Sequence, residues 1–182
     1  MDKHLEERFV SGETIYDGKV VHLEKWTVSL PNGHHATREV IRHVGASAVL
    51  AVSEAGEAFL VRQWRAPLSR ITLELPAGKL DQRGADPLLA AKRELSEETG
   101  LCAQDWHHLG GIYTTVGFCD ERIDLYLARG LSQEAAHPDD DEFVEIQTMP
   151  YNALYELAIA GKIEDAKTLA AVLMAHPLLS QG

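Results

Sequence analysis

The sequence predicts an α+β fold, an α/β/α sandwich around a mixed central sheet. Three observations point there. Ala46 to Val52 is a continuous apolar run of strand length, as expected of a strand buried on both faces. Short alternating segments bounded by turn residues lie on either side of it. Helical patterns are few and do not follow each strand in turn, which excludes a repeated βαβ array.

The elements follow in chain order. The chain up to about Arg42 reads as β structure. Lys19 to Leu30 mixes β-branched, aromatic and polar residues, with Trp26, Val28 and Leu30 alternating. Pro31-Asn32-Gly33 is a turn signal, and Arg38 to His43 is the returning strand. After Ala46–Val52, Ser53-Glu54-Ala55-Gly56-Glu57 turns the chain into a strand over Ala58 to Trp64. Ile71 to Leu75 alternates and stops at Pro76-Ala77-Gly78, and a loop runs on through Gly84. Asp86-Pro87 is a helix start, with Asp86 as N-cap and proline at the first helical position. Leu88, Ala91 and Leu95 give this helix an apolar stripe, and Gly100 is its stop. Leu109 to Thr115 and Ile123 to Ala128 are further strands. Tyr151 to Ala160 and Asp165 to Ala175 are helices, the second ending before Pro177.

A length of 182 residues suits one principal domain with a substantial core. The formal net charge of −11 argues against non-specific binding to nucleic acid or to anionic membranes. It leaves anionic substrates open, because bound metal ions invert the local field. Met1 to Arg8 contains no apolar stretch of the signal-peptide kind. No run approaches the roughly 20 apolar residues of a membrane helix. Cys102 and Cys119 are far from any CxxC spacing and read as reduced thiols. A cytoplasmic protein is the expectation.

The chemistry concentrates in the first helix. Glu94 shares a helical face with Glu97 (i, i+3) and Glu98 (i, i+4). Like charges so close repel, and either solvent or a bound divalent cation must answer that; hard cations such as Mg²⁺ take oxygen ligands. The apolar stripe puts these glutamates on the polar side of the helix.

Gly78 to Leu101 reads GKLDQRGADPLLAAKRELSEETGL. It resembles the Nudix box, Gly-x5-Glu-x7-Arg-Glu-U-x-Glu-Glu-x-Gly-U, with U aliphatic. Arg93, Glu94, Leu95, Glu97, Glu98, Gly100 and Leu101 match position by position. Upstream the chain departs from the pattern: Ala85 stands where the box has its first glutamate, and the loop from Gly78 is one residue longer. Asp17 to Val21, Leu30 to Gly33, Arg38 to Val40, Val61 to Arg65, Leu73 to Asp81, Gly117 to Glu121 and Asp165 to Thr168 resemble the ADP-ribose pyrophosphatase subgroup. Val116 replaces the proline that the subgroup usually carries before the Gly-Phe pair, which widens the reading to nucleoside diphosphate sugars in general.

The resemblance implies a Nudix fold with an N-terminal antiparallel β region over residues 1–43, dimer-forming in relatives, and a hydrolase domain over 44–182. It implies a Mg²⁺-dependent pyrophosphohydrolase, Mn²⁺ substituting, that splits ADP-ribose into AMP and ribose 5-phosphate. A GDP-mannose-type hydrolase and a catalytically weak nucleotide-sugar-binding regulator are the alternatives. Glu94 and Glu98 are the implied metal ligands, with the backbone carbonyl of Ala77; Glu97 lies near the metals. Arg93 either orients the glutamates or forms a surface pair with Glu97. The acidic stretch Asp139 to Glu142 is either a solvated loop or the source of the general base, Glu142 or Asp141. Arg38, Glu39 and Arg65 match substrate-contacting positions, and Trp64 is either a core residue or a stacking platform for a base. Trp26, the pairs His34-His35 and His107-His108, and both cysteines receive no role. The expected partners are a nucleoside diphosphate sugar and a second copy of the chain, with neither nucleic acid nor membrane.

Overall fold

The computed structural model describes residues 2–133 and 143–180. It divides into two compact units, Met1–Val44 with Tyr113–Arg122, and Gly45–Ile112 with Ile123–Gly182.

The first unit is built on an antiparallel sheet of three strands, β1 (Arg8–Asp17), β2 (His22–Ser29) and β3 (His35–Arg42). Every residue of β1 is exposed, so the alternation that would reveal an inner face is absent from it. Trp26 packs edge-on against Phe9 and lies under Arg42, which makes it a structural residue of this sheet. Residues 113–122 run beside β3: the Ile41 N–H donates to Phe118 O at 2.7 Å, and the Asp120 N–H donates to Ile41 O at 3.1 Å.

The second unit holds a seven-stranded mixed sheet. Its path is β10 (Val144–Pro150), β5 (Glu57–Arg65), β4 (Ala46–Val52), β9 (Arg122–Gln133) and β8 (Leu101–Tyr113). β6 (Arg70–Glu74) pairs with β5, and the short β7 (Ala77–Lys79) pairs with β4. The β4–β9 pair is parallel; β4–β5, β4–β7, β5–β6 and β5–β10 are antiparallel.

β4 explains the layering. All seven of its residues are buried, as the apolar run predicts. Successive side chains of a strand point to opposite faces. Ala46, Ala48, Leu50 and Val52 join one cluster with Leu60, Leu75, Leu125 and residues of α2 (Tyr151–Ile159) and α3 (Ala166–Leu179). Val49 and Ala51 join the other with Ala91 and Leu95 of α1 (Pro87–Thr99). Each fully buried leucine contributes about 1.5–3 kcal/mol, so both helical layers are held to the sheet by the hydrophobic effect.

α1 begins and ends where the sequence puts it. The Asp86 carboxylate accepts from the Leu88 N–H, Pro87 occupies the first turn, and Gly100 caps the helix at φ 66° with its N–H on Ser96 O. Three expectations need correction. β8 starts at Leu101, much earlier than Leu109. α3 runs through Pro177 to Leu179; a proline in the last turn removes one hydrogen bond near the end of the ladder, where breaking it costs least. And two of the α1 glutamates are not on a solvated side: Glu94 and Glu98 are 7% and 5% exposed. Among the described residues no helix is long and apolar enough to cross a membrane.

Candidate active site

The burial of Glu94 and Glu98 originates in β7. Position 78 of that strand has no side chain, and a Cβ there would lie 2.0 Å from Glu94 Cδ and Oε1. Glycine therefore admits the Glu94 carboxylate against the strand backbone. One helical turn on, Glu98 Oε2 accepts from the Ala77 N–H at 3.1 Å. The pair sits on the α1 face shared with Ala91 and Leu95, so it enters the interface between helix and sheet.

Arg93 ties the outer side of this platform together. Its Nη2 lies 2.9 Å from Glu94 Oε1 and donates to Lys79 O at 3.2 Å, while its Nη1 donates to Glu97 Oε2 at 3.2 Å. Both sequence readings of Arg93 are thus present in one side chain: it orients Glu94, and it makes the i, i+4 pair with Glu97. Ala85, where the box has a glutamate, lines a cavity of about 150 Å³ together with Arg93, Asp81 and Asp86. A carboxylate still reaches the arginine from this loop, since Asp81 Oδ1 is 3.5 Å from Arg93 Nη2.

Among the described residues no group of three or more His, Cys, Asp or Glu side chains is assembled to hold a metal ion. Two buried carboxylates side by side are nevertheless oxygen donors of the kind that a hard divalent cation takes. Asp141 and Glu142, the base candidates, lie outside the described residues.

The segment entering β7 is held residue by residue. Glu74, 3% exposed, accepts from Arg65 Nε and Nη2 at 2.7 Å each and from Thr72 Oγ1 at 2.6 Å. Lys167 Nζ donates to its Oε2 and, at 3.0 Å, to Asp165. Leu75 N–H donates to Thr168 Oγ1 at 2.9 Å, and Val49 N–H donates to Pro76 O at 2.9 Å. Burial alone would raise the Glu74 pKa; the Arg65 fork and the Lys167 charge overcome it and hold the carboxyl at about 2. The Arg65 pKa is raised, mainly through its hydrogen bond to Glu74 and against desolvation, and Asp165 and Glu98 add to the rise.

Sequence reasoning passed over Glu74, Lys167 and their partners as site residues. A signal was present. Glu74 is a lone carboxylate between Leu73 and Leu75, and Lys167 is the one lysine at the start of a mostly apolar helix. Their pairing spans 93 positions, which no local period reports.

The other expected site residues divide between the units. Arg65 and Trp64 end β5 in the second unit. Trp64 is 62% exposed, so the core reading of it falls. Arg38 and Glu39 belong to β3 of the first unit. Glu39 is exposed, and all three guanidinium nitrogens of Arg38 are engaged, Nε and Nη2 by Glu7 and Nη1 by Thr37 O. Val116 is 84% exposed. Both cysteines are thiols outside any disulfide, and His108 Nε2 contacts Asp124 at 2.9 Å.

Known proteins resemble this chain across nearly its whole length. An ADP-ribose pyrophosphatase of Bacillus subtilis (strain 168) is 42% identical over 172 residues, 93% of this chain and 92% of the relative. A methanol dehydrogenase activator of Bacillus methanolicus is 41% identical over 174 residues, covering 94% of each. In three dimensions the chain superimposes on a crystal structure of an ADP compounds hydrolase with a TM-score of 0.83, at 21% identity, covering 97% of this chain and 96% of the other. The NUDIX domain model matches residues 41–172, which take in the buried glutamates, their glycine and the arginine that binds them, and the chain belongs to the Nudix family.

Proposed function

We propose that the chain is a Nudix hydrolase that splits ADP-ribose into AMP and ribose 5-phosphate and accepts other nucleoside diphosphate sugars. The observation that carries this is the platform of Glu94 and Glu98, buried against Gly78 and the Ala77 N–H. The name of the B. subtilis relative supports the substrate.

Nudix hydrolases are in general dependent on a divalent metal. Here the reading is Mg²⁺, with Mn²⁺ as substitute, held by Glu94, Glu98 and the Ala77 carbonyl. Such an ion would supply positive charge against the phosphates and acidify water for attack.

The chain's own groups do the rest. Arg93 fixes the Glu94 and Glu97 carboxylates by charge-assisted hydrogen bonds. Arg65 meets the diphosphate, as a guanidinium suits phosphate oxygens. Trp64 offers an exposed ring to a base; Arg38 and Glu39 are the further residues assigned to substrate recognition by the family resemblance. A carboxylate, Glu142 or Asp141 with Glu97 nearby, takes the proton of the attacking water. Water oxygen bonds to one phosphorus, the bridging P–O bond breaks, and each product leaves as a phosphomonoester. In this reading the protein is cytoplasmic and works as a homodimer through the N-terminal β region.

The name of the B. methanolicus relative favours a second reading, a regulator of another enzyme. One assay separates the two. The protein is incubated with ADP-ribose, GDP-mannose and other nucleoside diphosphate sugars, with and without Mg²⁺, and phosphomonoester release is measured. Metal-dependent turnover of ADP-ribose is expected. No turnover of any sugar would overturn the enzyme reading, and turnover of GDP-sugars alone would overturn the preference. Glu98→Gln, which removes a charge at nearly constant shape, is expected to lower kcat by about a thousandfold.

A further inference from the structure

We propose that Glu74 and Lys167 are positioning residues for substrate binding: together they lock the Arg65 guanidinium in the orientation that receives the diphosphate. The proposal rests on the diphosphate reading of the site given above.

The geometry is a relay with one wet end. Asp165 caps α3 and accepts from Thr168 N and Oγ1. It also holds Lys167, whose ammonium stem is 10% exposed. Lys167 grips one Glu74 oxygen, and Glu74 grips Arg65 with both. Only Arg65 reaches solvent to a large extent, its side chain 42% exposed against 4% for Glu74. The two cations and two carboxylates balance, so the buried part carries no net charge that would need a counterion. An ion pair of this burial is costly to desolvate and is weak evidence for stability alone. What it does supply is direction. Two parallel bonds to a planar fork remove the rotations that a lone arginine would lose on meeting its ligand. The same α3 turn holds Leu75, two residues before Ala77, through Thr168, so one helix start sets both the arginine and the strand under Glu98.

A double-mutant cycle tests this. Arg65→Ala, Glu74→Gln and the double variant are compared in KM and kcat for ADP-ribose, and in Kd for ADP-ribose by calorimetry without turnover. Glu74→Gln is expected to raise KM and Kd by about tenfold while kcat falls less than about threefold. In the Arg65→Ala background the same change is expected to alter either constant by less than about twofold, because a residue acting through Arg65 has nothing left to position. Multiplicative losses in the double variant would overturn the proposal and leave Glu74 a stability residue. If Glu74→Gln does not fold, Glu74→Asp keeps the charge, withdraws the fork, and closes the same cycle. Lys167→Met is expected to give a smaller rise in KM, also abolished in Arg65→Ala; a rise that persists there would overturn the role of Lys167. If the wild-type chain binds but does not hydrolyse ADP-ribose, the ADP-ribose hydrolase reading fails and the Kd cycle still decides this inference. Absence of binding overturns both.

Discussion

Two arginine–glutamate forks, Arg65–Glu74 in the second unit and Arg38–Glu7 in the first, are made from the same groups and differ in their surroundings. The Glu74 side chain is 4% exposed and shared with Lys167 and Thr72. Glu7 is 36% exposed, its arginine 40%, and the remaining guanidinium nitrogen turns to the neighbouring Thr37 carbonyl. Water screens the second pair and lets either partner leave at little cost. The first pair has no such exit, because a buried charge that loses its partner stays buried. Arg65 is therefore a fixed arm. Arg38 is a replaceable one.

The sharpest way to break the contrast is to disturb what the fixed region supports. Gly78→Ala puts a Cβ where Glu94 lies. It is expected to lower kcat by at least about a hundredfold, the scale of losing a positioned group at a reacting centre, with phosphomonoester release as the readout. Unchanged turnover would mean that the Glu94 placement is dispensable.

The next effect is on stability. Glu74→Gln is expected to cost about 3 kcal/mol, as for breaking a buried pair from one side, read from the urea midpoint at constant slope.

The same fork sets a pH dependence. The Glu74 pKa is lowered from 4.5 to about 2, so its contribution is fully present above pH 4.5 and is lost as pH falls from there to about 2. Urea titrations of wild type and Glu74→Gln should differ most at neutral pH and converge toward pH 2.

The smallest effect belongs to the exposed fork. Glu7→Gln is expected to change stability by no more than about 0.5 kcal/mol, and less at high salt. A loss as large as that of Glu74→Gln would erase the distinction between the two regions.

Much of this was legible in the chain itself. Asp86-Pro87 and Gly100 bound α1 because capping is local chemistry, decided within one turn. The register of Arg93, Glu94, Glu97 and Glu98 follows from the helical period. Whether that face is wet or buried does not, because the answer lies in a side chain missing across the interface, at Gly78. The Glu74–Lys167 pair was unreadable for a related reason: strand and helix meet only after the whole sheet has been threaded. Pro177 misled because a proline is a stop signal by rule and a small loss in a last turn by energetics. The reading of Asp141 and Glu142 as base falls on residues outside the described structure, and rests on the family.

The parallel pairing of β4 with β9 has a consequence in time. Ala46 to Ala51 find their partners at Ile123 to Ala128, beyond α1 and β8 in the chain. Distant pairings close late, because loop entropy is lost before contacts repay it. The β5–β6 hairpin can form alone early, but the strand on which α1 packs is completed only when β9 arrives. Val49 and Ala51, which pack against α1, share their cluster with Tyr126 and Ala128 of β9, so the seat of Glu94 and Glu98 is complete only with the distant strand in place.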